Sequence, residues 1–210
     1  MNLVGAVSVL VVIVVSMMLH ELAHGGVAYL LGDTTAKEDG RLTLNPLKHL
    51  DPVMSVILPL ASFLMGGVVF GGAKPVPVNP HRLKGGVWGM ALVAVAGPLI
   101  NFILAFVAFL IWNGVGAVDA NTFLGATLVN FVFVNLGFGV FNLMPIPPLD
   151  GSRVAYAIAP DGVRELMDKM ERVGIMIIYI LILVGGNVFS AVMTGAMTGI
   201  LSGFYWIIGQ

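Results

Sequence analysis

Apolar residues fall in long blocks along this chain of 210 residues, at 3–31, 53–72, 87–112 and 122–144, and a last stretch at 173–208 turns the pattern apolar again. Runs of about eighteen or more apolar residues are long enough to cross a hydrocarbon core of roughly 30 Å. The last stretch has room for two short spans turning at Gly185-Gly186-Asn187, or for one span and an interfacial helix. The pattern predicts an all-α polytopic membrane protein with about five transmembrane helices, built as a single membrane-embedded domain over 1–210, with C-terminal helices in 173–208.

The polar segments between the blocks carry the charges, and these give an orientation. Lys37, Arg41 and Lys48 lie in the first; Lys74, Arg82 and Lys84 in the second; Arg153, Arg164, Lys169 and Arg172 in the last. Segment 113–121 and the N-terminus have no Lys or Arg. Loops rich in Lys and Arg stay cytoplasmic, so both flanks of block 53–72 are predicted on one face. That makes the block a re-entrant segment, an expectation its Pro59, Gly66-Gly67 and Gly71-Gly72 interruptions support. A spanning helix kinked at Pro59 is the competing reading.

Composition agrees with the pattern: 58% of residues are hydrophobic and 10% charged, against about 25% charged in an ordinary soluble domain, and the mean hydropathy is +0.99. The net charge of -1 excludes a strongly basic nucleic-acid binder. With no cysteine, thiolate metal sites, disulfides and cysteine nucleophiles are excluded, and a metal must take nitrogen and oxygen ligands. A signal-peptide reading of the first block fails, because no basic residue precedes it and it carries His20-Glu21-Leu22-Ala23-His24.

On a helix, residues four apart project from one face, so His20 and His24 can chelate one ion while Glu21 reaches the water to be activated. A catalytic zinc needs a third protein ligand. Ionisable groups within membrane blocks are functional candidates by default, and Asp150 follows block 122–144 after Pro145, Pro147 and Pro148, which forbid a continuous helix. If block 53–72 is re-entrant, block 87–112 runs outward and 122–144 returns inward, bringing Asp150 to the side of His20.

These residues resemble the site-2 protease family of intramembrane zinc metalloproteases: His20-Glu21-Leu22-Ala23-His24, then Ala96-Gly97-Pro98-Leu99-Ile100-Asn101 opening a helix, then Asn142 through Gly151, in that order. The resemblance implies one Zn2+ per chain on His20, His24 and Asp150, a zinc core over 3–160, Glu21 as the base that polarises water, and Asn142 at the substrate backbone or the developing oxyanion. Segment 71–80 resembles a compact subgroup, without PDZ-like or nucleotide-sensing domains. The expected substrate is a single-span membrane protein. The expected location is the plasma or inner membrane of a prokaryote, with the active site in the cytoplasmic half.

A substrate helix must unwind to expose its carbonyls, and pairing it as an added strand satisfies the freed groups. Short cytoplasmic-side β-strands are therefore expected at 41–44 and 74–78, with Val76 and Val78 against the substrate. Other readings stand beside these. His20, Glu21 and His24 as a helix-packing cluster, a metal-ion transporter on the same ligands, and a non-catalytic membrane scaffold are the alternatives. An amide pairing carbonyls freed by Pro145 competes for Asn142, close helix packing is expected at Asn101, and His49 and His81 are expected as solvent-exposed loop histidines.

Overall fold

The computed structural model describes residues 3–51, 74–114 and 122–209. The chain forms helices α1 (Leu3–Leu30), α2 (Thr35–Glu38), α3 (Gly86–Gly114), α4 (Phe123–Asn142), α5 (Asp150–Ile158), α6 (Asp161–Glu171) and α7 (Gly174–Ile207), with a 3-10 turn at Pro46–Lys48. Four helices among the described residues are long and apolar enough to cross a membrane: Val7–Leu30, Gly86–Gly114, Phe123–Asn142 and Val184–Ile207. Apolar blocks in lipid have no partner for a free backbone N–H or carbonyl, so each closes its hydrogen bonds within a helix. The first, third and fourth sequence blocks match α1, α3 and α4 to within two residues at each end.

Contacts between α1, α3 and α4 fix their directions. His20 meets Asn101 and His24 meets Val93, so α1 and α3 are antiparallel. Ser8 meets Asn130 and Ser16 meets Asn135, so α1 and α4 run parallel. The order matches the one the charges predict. Apolar packing among Ala105, Ala108, Phe109, Val132, Leu136 and Phe204 joins α3, α4 and α7, and Ala28, Leu83 and Val93 join the end of α1 to the start of α3.

Other expectations change. The stretch 173–208 is one continuous helix of 34 residues rather than two short spans, which lowers the count of spans from five to four among the described residues. Glycine and a lone asparagine do not break a helix in an apolar medium, where an opened turn leaves backbone groups unpaired. Phe141 packs on Phe189, while Phe204 and Tyr205 pack on Phe109, so α7 runs antiparallel to α4 and ends away from Asp150. The Ala96-Gly97-Pro98 stretch lies inside α3 instead of opening a helix.

The expected strands at 41–44 and 74–78 are absent among the described residues. Pro75 and Pro77 have no N–H for a ladder, and the N–H of Val76 goes to the Glu21 carboxylate at 2.8 Å. The re-entrant expectation for 53–72 lies outside the described residues. Its flanks meet: the Lys74 N–H donates to the His49 carbonyl at 2.8 Å. His49 is buried, against the expectation of a solvent-exposed loop histidine, with Nε2 2.9 Å from the Thr43 carbonyl.

Candidate metal centre

The two histidines sit one turn apart on α1, and α3 crosses them at Gly97. A Cβ there would lie 2.5 Å from His24 Nε2 and 2.6 Å from His20 Nε2. Only glycine lets the α3 backbone approach so closely. The third group arrives from the far end of α4. The chain leaves α4 at Leu143, turns through Pro145, Pro147 and Pro148, and starts α5 at Asp150. Gly151 presses that first turn onto the end of α4, since a Cβ there would overlap the Leu143 carbonyl group. The Asp-Gly pair thus sends the carboxylate back into the bundle.

His20 Nε2 lies 3.2 Å from Asp150 Oδ2, His24 Nε2 lies 3.4 Å from it, and the two Nε2 atoms are 3.0 Å apart. The three ligand atoms fall within 4.8 Å of one another. Asp150 Oδ2 is buried with no hydrogen-bond partner, which is costly unless another group satisfies it. The Nδ1 atoms face elsewhere: His24 Nδ1 is 2.7 Å from the Val93 carbonyl oxygen, and His20 Nδ1 is 2.6 Å from Asn101 Oδ1. With Nδ1–H donating to these acceptors, both Nε2 lone pairs turn toward Asp150. Two lone pairs and a carboxylate oxygen repel at such distances, and a cation resolves the repulsion. Two imidazoles and a carboxylate are a fitting zinc donor set.

Glu21 lies beside the pair and accepts from Val76 N–H. The segment carrying Val76 is tied down at both ends. Arg41 donates to the Lys74 carbonyl at 2.6 Å, and the buried Asp33 carboxylate accepts from the N–H groups of Asn79 at 2.6 Å and Thr35 at 3.0 Å. Burial raises the Asp33 pKa, but the hydrogen bonds from the Thr35 hydroxyl, Asn79 and Thr35, with Arg82 nearby, outweigh it and hold the carboxyl below its ordinary value.

His20, His24 and Asp150 are thus brought together with Glu21 at the edge. Val76 reaches the site through its backbone, and Val78 packs with the Ala28, Leu83 and Val93 cluster. Asn142 turns its amide to the Phe138 carbonyl of its own helix at 3.0 Å. Sequence reasoning missed Asn135 and gave Asn101 only a packing role. Both are fully buried in apolar helices, and the available signal was the cost of an amide in that setting.

The model of peptidase family M50 matches residues 116–185. The chain is 40% identical over 177 residues to the "Putative zinc metalloprotease YwhC" of Bacillus subtilis (strain 168), covering 81% of this chain and 78% of that one. It is 34% identical over 142 residues to the "Putative zinc metalloprotease Rip2" of Mycolicibacterium smegmatis, covering 65% of this chain and 51% of that one. The Rip2 of Mycobacterium tuberculosis (strain H37Rv) is likewise 34% identical, over 141 residues, with the same coverage. The chain therefore spans about half the length of the mycobacterial relatives. No solved structure matches it.

Proposed function

The chain belongs to peptidase family M50, and from that premise we propose that this multi-pass zinc metalloprotease hydrolyses a peptide bond in or near the transmembrane segment of a single-span membrane protein. The observation that carries the reading is the convergence of His20 Nε2, His24 Nε2 and the unpartnered Asp150 Oδ2, with Glu21 alongside. These three residues hold one zinc. When bound there, zinc supplies Lewis acidity, polarising a carbonyl and making water acidic enough to provide a nucleophile near neutral pH.

The chain's own part is proton transfer and positioning. Glu21 takes a proton from the attacking water as its oxygen bonds to the scissile carbonyl carbon, and returns that proton to the amine nitrogen as the C–N bond breaks. The Val76 N–H holds Glu21 Oε2 at 2.8 Å, leaving the other carboxylate oxygen for this transfer. Segment 74–78 then lies beside an unwound substrate, with Val76 and Val78 against it. With proline at 75 and 77, it offers carbonyls more than N–H groups, so it suits a strand that brings its own donors. The basic loops on the Asp150 side favour an active site in the cytoplasmic half of the membrane. Asn142 is retained as a substrate contact that would require its amide to leave the Phe138 carbonyl.

The test is metal analysis of the purified full chain and cleavage of single-span substrates by wild type and Glu21→Gln. About one zinc per chain is expected in both, since the ligands are untouched. Cleavage is expected to fall at least ~100-fold in the variant. Wild-type cleavage by zinc-loaded Glu21→Gln would overturn the assignment of the base; a wild-type chain without zinc would overturn the metal site.

A further inference from the structure

The two zinc-facing histidines are held in the same tautomer by different means. His24 Nδ1 meets a backbone carbonyl directly, that of Val93. A carbonyl can only accept, so Nδ1 must carry the proton, and in the neutral imidazole Nε2 then has the lone pair. His20 Nδ1 instead meets the side-chain amide of Asn101, which has a donor and an acceptor and imposes nothing by itself.

The partners behind Asn101 remove that freedom. Asn101 Nδ2 donates to Asn135 Oδ1 at 2.8 Å, and Asn135 Nδ2 donates both to the Phe131 carbonyl at 2.9 Å and to Ser16 Oγ at 2.8 Å. The Phe131 carbonyl is acceptor-only. It draws the NH2 of Asn135 to its side, which turns Asn135 Oδ1 toward Asn101. That acceptor draws the NH2 of Asn101, which leaves Asn101 Oδ1 facing His20. Reversing any member would set donor against donor or acceptor against acceptor in a fully buried chain, where an unmade hydrogen bond costs most.

We propose that Asn101 and Asn135 are positioning residues forming a directed hydrogen-bond chain, anchored on the Phe131 carbonyl of α4 and running through α3, that fixes the His20 tautomer on α1 and so presents its Nε2 lone pair to zinc. Ser16 is a side branch of the chain, and its loss leaves the Phe131 anchor in place. The inference rests on the zinc reading above, but its first readout does not require metal.

The experiment uses the full chain, purified without a histidine tag and with 15N-labelled histidine. In the zinc-free protein, nitrogen chemical shifts report the tautomer of His20 and His24. Zinc affinity is measured separately by titrating zinc alone against a competing chelator. Wild type is expected to show both histidines protonated on Nδ1. In Asn101→Leu and in Asn135→Leu, His20 is expected to become a mixture while His24, still held by Val93, keeps its form. Zinc affinity is expected to fall about 10–100-fold in Asn101→Leu and by a smaller factor in Asn135→Leu.

Ser16→Ala is expected to match wild type in both readouts. If the apolar replacements do not fold, Asn135→Ser carries the same prediction, because a hydroxyl donates or accepts and no longer passes on a fixed polarity. An unchanged His20 tautomer in a folded Asn135 variant would overturn the directed chain, even with Asn101 important on its own. A shift of His24 together with His20 would also overturn it, since that is general loosening of the bundle. Failure of wild type to bind zinc, with the tautomer pattern as expected, would sink the functional reading and leave the chain standing.

Discussion

A methyl group added at Gly97 would sit 2.5 Å from His24 Nε2 and 2.6 Å from His20 Cε1 and Nε2, so Gly97→Ala must displace the atoms that face Asp150. In an exposed helix the same change favours folding by about 1 kcal/mol. The expected outcome is helix content equal to wild type with zinc affinity reduced at least ~10-fold, read by circular dichroism and chelator competition. This separates a ligand-positioning defect from a folding defect. At this scale the HExxH residues were legible because their geometry is local, four residues on one helix face. Asp150 was legible from its neighbours, since prolines before a membrane carboxylate announce an unwound return. Asn101 and Asn135 were not, because two amides 34 residues apart obey no spacing rule, and their meaning comes from which acceptors the fold sets beside them.

Among the elements, the segment before α3 is secured from both ends, and Asp33 is the fixture at one of them. Its carboxylate accepts from Asn79 and Thr35 and is held below its ordinary pKa. A carboxyl with a depressed pKa in the folded state stabilises the fold above its unfolded pKa, and that contribution disappears as pH falls through the lower, folded value. Asp33→Asn is therefore expected to lower stability near neutral pH by about 1–3 kcal/mol, because the amide keeps one acceptor oxygen but replaces the other with a donor and removes the charge. The difference from wild type should shrink in acid, which thermal unfolding across pH would show. Val76→Pro is expected to lower cleavage while leaving zinc content near wild type, because it deletes the donor that holds Glu21 and no metal ligand. Unchanged cleavage would argue against any role for that segment. The sequence signalled an extended piece here but pointed to a strand, and the error was chemical: alternate prolines strip the donors a ladder needs, and the remaining Val76 N–H is committed to Glu21.

For the molecule as a whole, helix directions put the histidines, Asp150 and the loops 31–51 and 74–85 at one end of the bundle, with the end of α7 at the other. The native chain has no cysteine, so single replacements report sidedness directly. Asp39→Cys and Ile207→Cys, both at exposed positions, are expected to react with a membrane-impermeant thiol reagent from opposite faces; labelling from the same face would contradict the course of α7. The directions of α1, α3 and α4 could be read from ten positive charges, because charge asymmetry acts on whole spans. The course of α7 could not, since Gly185-Gly186-Asn187 reads as a turn in water and is simply helix in lipid. The two histidine locks also differ in how they can be inherited. The one on His24 is a main-chain carbonyl that survives any side-chain change at Val93 which preserves the backbone. The one on His20 is written in side chains on two other helices, so lineages that replace Asn101 should replace Asn135 with it, and drift at the first position alone should be rare.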